Sequence, residues 1–212
     1  MTPSSTGRPL IFDLDGTLWD STEVVAQAWS AALAESGLPG PITACDIARI
    51  MGLTHEQIRA RLFPQLDSRG WDAFSELAYR REEEFIRRLG GQLYPGVQEG
   101  LRQLCARHPL AIVSNCQRGY IEVFLEWTGL GACFLDWECH GNTGLPKGEN
   151  IRRLCARRQW SGALYVGDTA GDEAAAAESG CDFLFAEYGF GQASPAAPRL
   201  REFSDLLQQV AA

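Results

Sequence analysis

The sequence predicts an α/β fold, a parallel β-sheet flanked by helices with a block of helices inserted after its first strand. Three observations carry this. Beyond residue 92, short apolar runs alternate with helical patterns, the signature of strands joined by helical crossovers and hence of a parallel sheet. The apolar run "LIFDLD" at residues 10–15 belongs to the same alternation. Between them, residues 20–91 read as helix throughout, so the first strand is separated from its sheet by an insertion.

In order along the chain, "LIFDLD" ends in Asp13 with Gly16 and Thr17 just beyond, a buried strand breaking into a tight turn at its carboxyl end. From Thr22 to Ser36, Val24, Val25, Ala28, Trp29, Ala32 and Leu33 recur at helical spacing. Asp20 and Ser21 are its natural caps, and Gly37, Pro39, Gly40 and Pro41 end it. "TACDIARIMG" and "THEQIRARLF" predict two shorter helices with Thr43 and Thr54 as N-caps, separated at Gly52. "WDAFSELAYRREEEFIRRL" predicts a longer helix. Its Glu83/Arg87 and Glu84/Arg88 pairs have the favourable i,i+4 order, so its charge run is expected to form a solvated face.

After "GGQLYPG" the spacing predicts a helix from Val97 to Arg107, then strands "LAIVSN", "FLDWEC", "ALYVGD" and "DFLFAE", with helices starting at Tyr120, Gly148 and Gly171 between them. "QASPAAP" reads as a surface connection before a last helix. There is no internal repeat and no low-complexity segment.

A length of 212 residues suffices for a full core plus an insertion. The net charge of -8 excludes a basic footprint for nucleic acid or an anionic membrane, so an anionic substrate needs a local cation. No apolar run has the length of a membrane span, and "MTPSSTGRP" is too short and polar for a secretory leader, which together predict a cytoplasmic protein. The seven cysteines are odd in number, scattered and without a CxxC pair, and are expected to be reduced thiols that bind no zinc. Cys116 follows Asn115 closely enough to be partly exposed, with packing as its expected role. Eighteen arginines account for all but one of the 19 basic residues, and the single lysine is Lys147.

Three predicted strands end in polar residues suited to phosphate: Asp13 with Asp15, Ser114 with Asn115, and Asp168 with Asp172. Ligands of open parallel sheets bind outside the carboxyl ends of the strands, so these three sets are expected to converge. On the residues alone, each also has a purely structural reading. Asp13 and Asp15 suit an Asx-type turn, Ser114/Asn115 a strand-to-helix turn, Asp168 the N-cap of the next helix, and Asp20 a cap as well. His140 and His55 read as loop or surface residues.

Four of these sequences, in order, resemble the motifs of the haloacid dehalogenase (HAD) superfamily, and within it the phosphoglycolate-phosphatase-like members with a helical cap. "DLDGT" resembles the first motif, Ser114 in "AIVSN" the second, Lys147 in "GLPKG" the third and "VGDTAGD" the acidic fourth. The resemblance implies a Rossmann-like core at 1–19 and 92–212 and a cap domain at 20–91. It implies a Mg²⁺-dependent phosphatase acting on a small organic phosphomonoester, phosphoglycolate being the first guess. Asp13 is then the nucleophile that becomes an aspartyl-phosphate, Asp15 the acid/base, and Lys147 a further catalytic and phosphate-binding cation. Ser114, Asn115, Gly16 and Thr17 are implied to bind substrate, and Asp13, Asp15 and Asp168 to hold the metal with Asp172 behind them. The cap loop of the family gives His55 a second reading, facing substrate. A carboxyl at Asp15 argues against a dehalogenase, whose halide leaves unprotonated, and the absence of lysine from 20–91 argues against a phosphonatase. A phosphomutase of the β-phosphoglucomutase type and a non-catalytic HAD-like binding protein remain alternatives. The expected partner is a small phosphate ester, without nucleic acid or membrane, and a monomer is favoured.

Overall fold

A computed structural model describes residues 7–210 of the chain. Strand β1 (Leu10–Phe12) is three residues of apolar side chain buried on both faces, as a central parallel strand requires. It runs into a turn and then β2 (Trp19–Asp20). Four helices follow: α1 (Thr22–Ser36), α2 (Ala44–Ala48), α3 (His55–Leu62) and α4 (Ser68–Leu89). After β3 (Gln92–Leu93) the alternation begins. It comprises α5 (Val97–Leu104), β4 (Leu110–Ser114), α6 (Tyr120–Thr128), β5 (Asp136–Cys139), the single turn α7 (His140–Thr143), α8 (Lys147–Arg158), β6 (Leu164–Gly167), α9 (Ala170–Ser179) and β7 (Asp182–Ala186). The chain closes with β8 (Arg199–Leu200) and the short α10 (Leu206–Gln209).

Six strands form one sheet in the order β5-β4-β1-β6-β7-β8, every neighbouring pair parallel. β2 and β3 pair separately. The register sets Phe12 opposite Ile112 on one side and Val166 on the other. The order reverses at β1, which places the carboxyl ends of β4, β1 and β6 side by side at the topological switch point. Ile11, Ala111, Val113, Ile151, Leu154 and Tyr165 build the core on one face of this sheet.

The described chain divides into two compact units, one containing the six-stranded sheet up to Trp19 and from Leu93 onward, the other spanning Asp20–Gln92. The second unit is helical. Thr43 and Thr54 both form capping boxes, with Asp46 and Gln57 as reciprocal partners. α1 lies against α4 along Ala28, Trp29 and Ala32, where small residues let the helices approach. Trp29 is ringed by Phe63, Trp71, Phe74 and Tyr79 with centroids 6.1–6.5 Å away.

The structure departs from the sequence reading at several points. α4 begins three residues early, because Asp67 caps it by accepting from Gly70 N at 2.7 Å. Its charge run is not uniformly solvated: Glu82 is buried and accepts the Trp29 indole N–H at 2.7 Å. Glu83 pairs with Arg87, but Glu84 pairs with Arg81 at 2.7 Å rather than with Arg88. At α1, Ser21 occupies the N-cap position without a capping hydrogen bond from its side chain, and Asp20 instead accepts from Thr22 N at 2.9 Å. "QASPAAP" leads into β8, a strand the pattern did not announce because it is only two residues long.

Candidate active site

Asp13 leaves β1 with its backbone N–H still on the ladder, donating to Val166 O at 2.9 Å, so the carboxylate is fixed at the end of the central strand. It is 3% exposed. Its Oδ2 lies 3.0 Å from Lys147 Nζ, whereas Oδ1 is buried with no hydrogen-bond partner. Lys147 opens α8, a position where the helix dipole disfavours a cation. Two anions hold it there: Asp13, and Asp172 Oδ1 at 2.6 Å. The Tyr165 ring also lies 5.9 Å from Nζ. Burial works against the ammonium, but the two carboxylates outweigh it and raise its pKa above the usual lysine value.

Asp172 is part of the capping box of α9. Its Oδ2 accepts from Thr169 N at 3.0 Å and Thr169 Oγ1 at 2.6 Å, leaving Oδ1 for Lys147. The N-cap of α9 is therefore Thr169, not Asp168. Asp168 turns instead toward the other acids, accepting from Phe190 N at 2.8 Å and from Thr17 Oγ1 at 3.4 Å. Burial, with Asp172 and Asp13 nearby, pushes its carboxyl up to about 8. Burial likewise raises Asp13 to about 6, against the opposing pull of Lys147.

Of the strand-end groups expected to converge, Asp13, Asp168 and Asp172 lie together, and Lys147 joins them from the start of α8. One oxygen from each of the three acids lies within 4.8 Å of the others. Three carboxylates around one ammonium carry, when all are ionised, two uncompensated negative charges in a buried place, the charge of one divalent cation. The orphaned Asp13 Oδ1 and the all-oxygen donor set fit such an ion.

Gly16 serves this arrangement by its lack of a side chain: with φ at 82°, it passes so close to Asp168 that a Cβ would collide with the carboxylate. The N–H groups of Gly16 and Thr17 donate inside the turn, to Trp19 O at 3.0 Å and Leu14 O at 3.2 Å. Ser114 closes β4, two residues past Ile112, the register partner of Phe12, and Asn115 follows it on the neighbouring strand end. Asp15 is directed elsewhere, accepting from Trp19 Nε1 at 3.0 Å and Tyr120 OH at 2.9 Å, both on Oδ1. His55 and His140 pair locally, with Tyr79 OH at 3.3 Å and Leu145 O at 3.0 Å.

Sequence reasoning missed the "YGFG" loop at 188–191, which supplies the Phe190 N–H to Asp168 and the Tyr188 hydroxyl to Thr17 O at 2.9 Å. Two glycines bracketing an aromatic just after a strand were the available signal. A Cβ at Gly189 would collide with Gly16 O and Asp168. The seven cysteines are free thiols, and no described helix is long and apolar enough to cross a membrane.

A parallel α/β sheet with a buried cluster of acids around one lysine at its switch point defines the class of fold and site, and comparison with known proteins gives the family. A family model of haloacid dehalogenase-like hydrolases matches residues 10–186. A phosphoglycolate phosphatase of Synechococcus elongatus is 32% identical over 96% of this chain and 97% of its own length. A plasmid-borne phosphoglycolate phosphatase of Cupriavidus necator is 32% identical over 89% of this chain and 84% of its own. Among solved structures, a haloacid dehalogenase-like hydrolase from Streptococcus pneumoniae superposes with a TM-score of 0.82 at 23% identity, covering 95% of this chain and 97% of that one. The chain belongs to the haloacid dehalogenase-like hydrolase family, as one of its phosphatases, enzymes of the phosphoric monoester hydrolase class.

Proposed function

We propose that the protein is a Mg²⁺-dependent phosphatase that hydrolyses a small organic phosphomonoester through an aspartyl-phosphate on Asp13, with phosphoglycolate as the first substrate to test. The single observation that carries this reading is the buried Asp13 carboxylate, with one oxygen on Lys147 and the other without a partner, beside Asp168 and Asp172. The names of the relatives support the choice of substrate.

In this reading Asp13 attacks phosphorus, forming an acyl–phosphate bond as the ester P–O bond breaks. The leaving alkoxide is a poor leaving group and takes a proton from Asp15. Water then attacks the aspartyl-phosphate, Asp15 receives its proton, and phosphate departs with Asp13 restored. Lys147 neutralises the nucleophile at rest and the transferring phosphoryl oxygens during the step. Ser114 and Asn115 bind the phosphate from the neighbouring strand end. Gly16 and Thr17 flank the substrate at the same turn, where they also shape and hold Asp168. Asp13, the Asp15 carbonyl and Asp168 would hold Mg²⁺, with Asp172 fixing Lys147 behind them. Bound there, the ion supplies charge to the phosphoryl oxygens that one lysine cannot. The division of the chain at Trp19/Asp20 and Gln92/Leu93 supports reading the helical unit as the cap domain.

The test is phosphate release from a panel of metabolite phosphates, with and without EDTA. Release from phosphoglycolate that stops in chelator and returns with Mg²⁺ is the expected result. Full activity in chelator defeats the metal assignment, and isomerisation of a hexose 1-phosphate without net phosphate release turns the reading to a mutase.

A further inference from the structure

The Asp15 side chain is held in a way that turn chemistry does not explain. An aspartate serving a turn accepts from backbone N–H groups two or three residues on. Asp15 Oδ1 instead receives two side-chain donors from separate parts of the chain, Trp19 Nε1 at 3.0 Å and Tyr120 OH at 2.9 Å. Neither donor is free to wander. Trp19 is fully buried and Tyr120 is 3% exposed. Their rings meet edge to face at 5.8 Å, and Trp19 packs in the same manner on Phe124 at 5.0 Å. Trp19 is further tied to the Asp15 turn by the Gly16 N–H on its carbonyl at 3.0 Å. Tyr120 is the first residue of α6, immediately after the loop that follows Ser114 and Asn115.

The chemistry of the two donors differs, and the difference matters. A phenol can donate or accept, but an indole N–H only donates. As long as Trp19 stays on Oδ1, that oxygen remains an acceptor whether the carboxyl is charged or neutral. With the rotamer selected before substrate arrives, proton transfer to an ester oxygen begins from one geometry rather than several.

We propose that Tyr120 and Trp19 are positioning residues acting through Asp15, their two hydrogen bonds to Oδ1 holding the side chain in one rotamer for its work at the leaving oxygen. The inference rests on the reading of Asp15 as the acid/base, and its test separates the two. Ester cleavage is measured in single turnover with enzyme in excess, on the best alkyl phosphate and on p-nitrophenyl phosphate, whose leaving group departs without a proton. Tyr120→Phe keeps the ring and removes only the hydroxyl. It is expected to slow alkyl-ester cleavage about tenfold, with aryl-ester cleavage and the KM for both within about twofold of the parent. Trp19→Phe, checked for folding by circular dichroism, is expected to show the same selectivity. In an Asp15→Asn background, adding Tyr120→Phe is expected to change neither rate by more than about twofold, because its effect runs through the carboxyl.

Equal losses on both esters, no loss on either, or a further loss in the Asp15→Asn background would overturn the proposal. If Asp15→Asn itself fails to discriminate between the esters, the acid/base reading falls and takes this inference with it. If Asp15→Asn discriminates and Tyr120→Phe does not, only the inference falls.

Discussion

Each of the two units buries a carboxylate, and the two are treated in opposite ways. In the helical unit, Glu82 is 6% exposed and accepts the Trp29 indole N–H at 2.7 Å, at the centre of an aromatic cluster. The acid there satisfies a buried donor, and both belong to the packing of α1 on α4. In the α/β unit, Asp13 is equally buried but has one oxygen with no partner and two further carboxylates beside it. Burial raises its pKa, and its backbone N–H stays on the ladder with Val166 O. Buried polar groups are normally satisfied, so an acid that satisfies its surroundings reads as structure, while one kept underpaired among like charges reads as chemistry.

The largest expected effect breaks the comparison at its centre. Asp13→Asn is nearly isosteric and should keep the fold, yet turnover should fall at least a thousandfold, about 4 kcal/mol of transition-state stabilisation. Glu82→Gln, by contrast, should leave kcat/KM within about twofold. A folded Asp13→Asn variant that retains more than a thousandth of parental activity is incompatible with covalent catalysis.

Next is a stability change with a pH signature. The folded pKa values of Asp13 and Asp168, about 6 and about 8, lie above the ordinary carboxylate value of 3.8. Groups raised in this way favour the folded state most below the ordinary value, and that contribution is lost as pH rises through the folded ones. In chelator, the melting temperature should therefore decline between pH 5 and pH 8, and Asp168→Asn should flatten the decline. An identical slope in parent and variant would show that Asp168 is not the strained acid.

On the other side of the comparison, Trp29→Phe removes the indole donor from Glu82 and should lower the stability of the helical unit by about 1–3 kcal/mol. Chemical denaturation measures this, and kcat/KM on the best substrate should stay unchanged. A change in turnover without a change in stability would contradict the structural reading of this acid.

The smallest effect sharpens the role of the one lysine. Lys147 reaches both Asp13 and Asp172 as a compact point charge in a buried place, where a planar guanidinium is bulkier and demands a fork of acceptors. Lys147→Arg should preserve fold and charge but lower kcat/KM about tenfold, roughly 1.4 kcal/mol. Parental kinetics in the folded variant would mean that charge alone suffices there.

Much of this was legible in the chain because it is local. The apolar runs ending in Asp13, Ser114 and Asp168, the Thr43 and Thr54 caps, and the position of the lone lysine all depend on neighbours a few residues away. Asp168 shows the limit of local reading, since a strand-ending aspartate before a helix fits an N-cap equally well. The adjacent Thr169 took that role because its partner Asp172 stands at the third helical position, which completes a capping box. Glu82 shows a different limit: its spacing from Ala78 and Ile86 puts it on the buried stripe of α4, but its partner Trp29 lies 53 residues away on another helix.

The sequence by itself determined the alternation of strands and helices, the insertion after the first strand, and which strand ends carry polar groups. These follow from periodicity and turn chemistry, which act over one or two turns of chain. Tertiary structure decided the strand order that makes β4, β1 and β6 neighbours, and with it the meeting of Asp13, Lys147, Asp168 and Asp172. It also decided that Tyr120 reaches Asp15 across 105 residues and that Tyr188 reaches Thr17 across 171. No local pattern encodes such contacts. They exist because burying the sheet's apolar faces fixes the strands against one another, and the groups at the strand ends are then brought together wherever the chain happens to supply them.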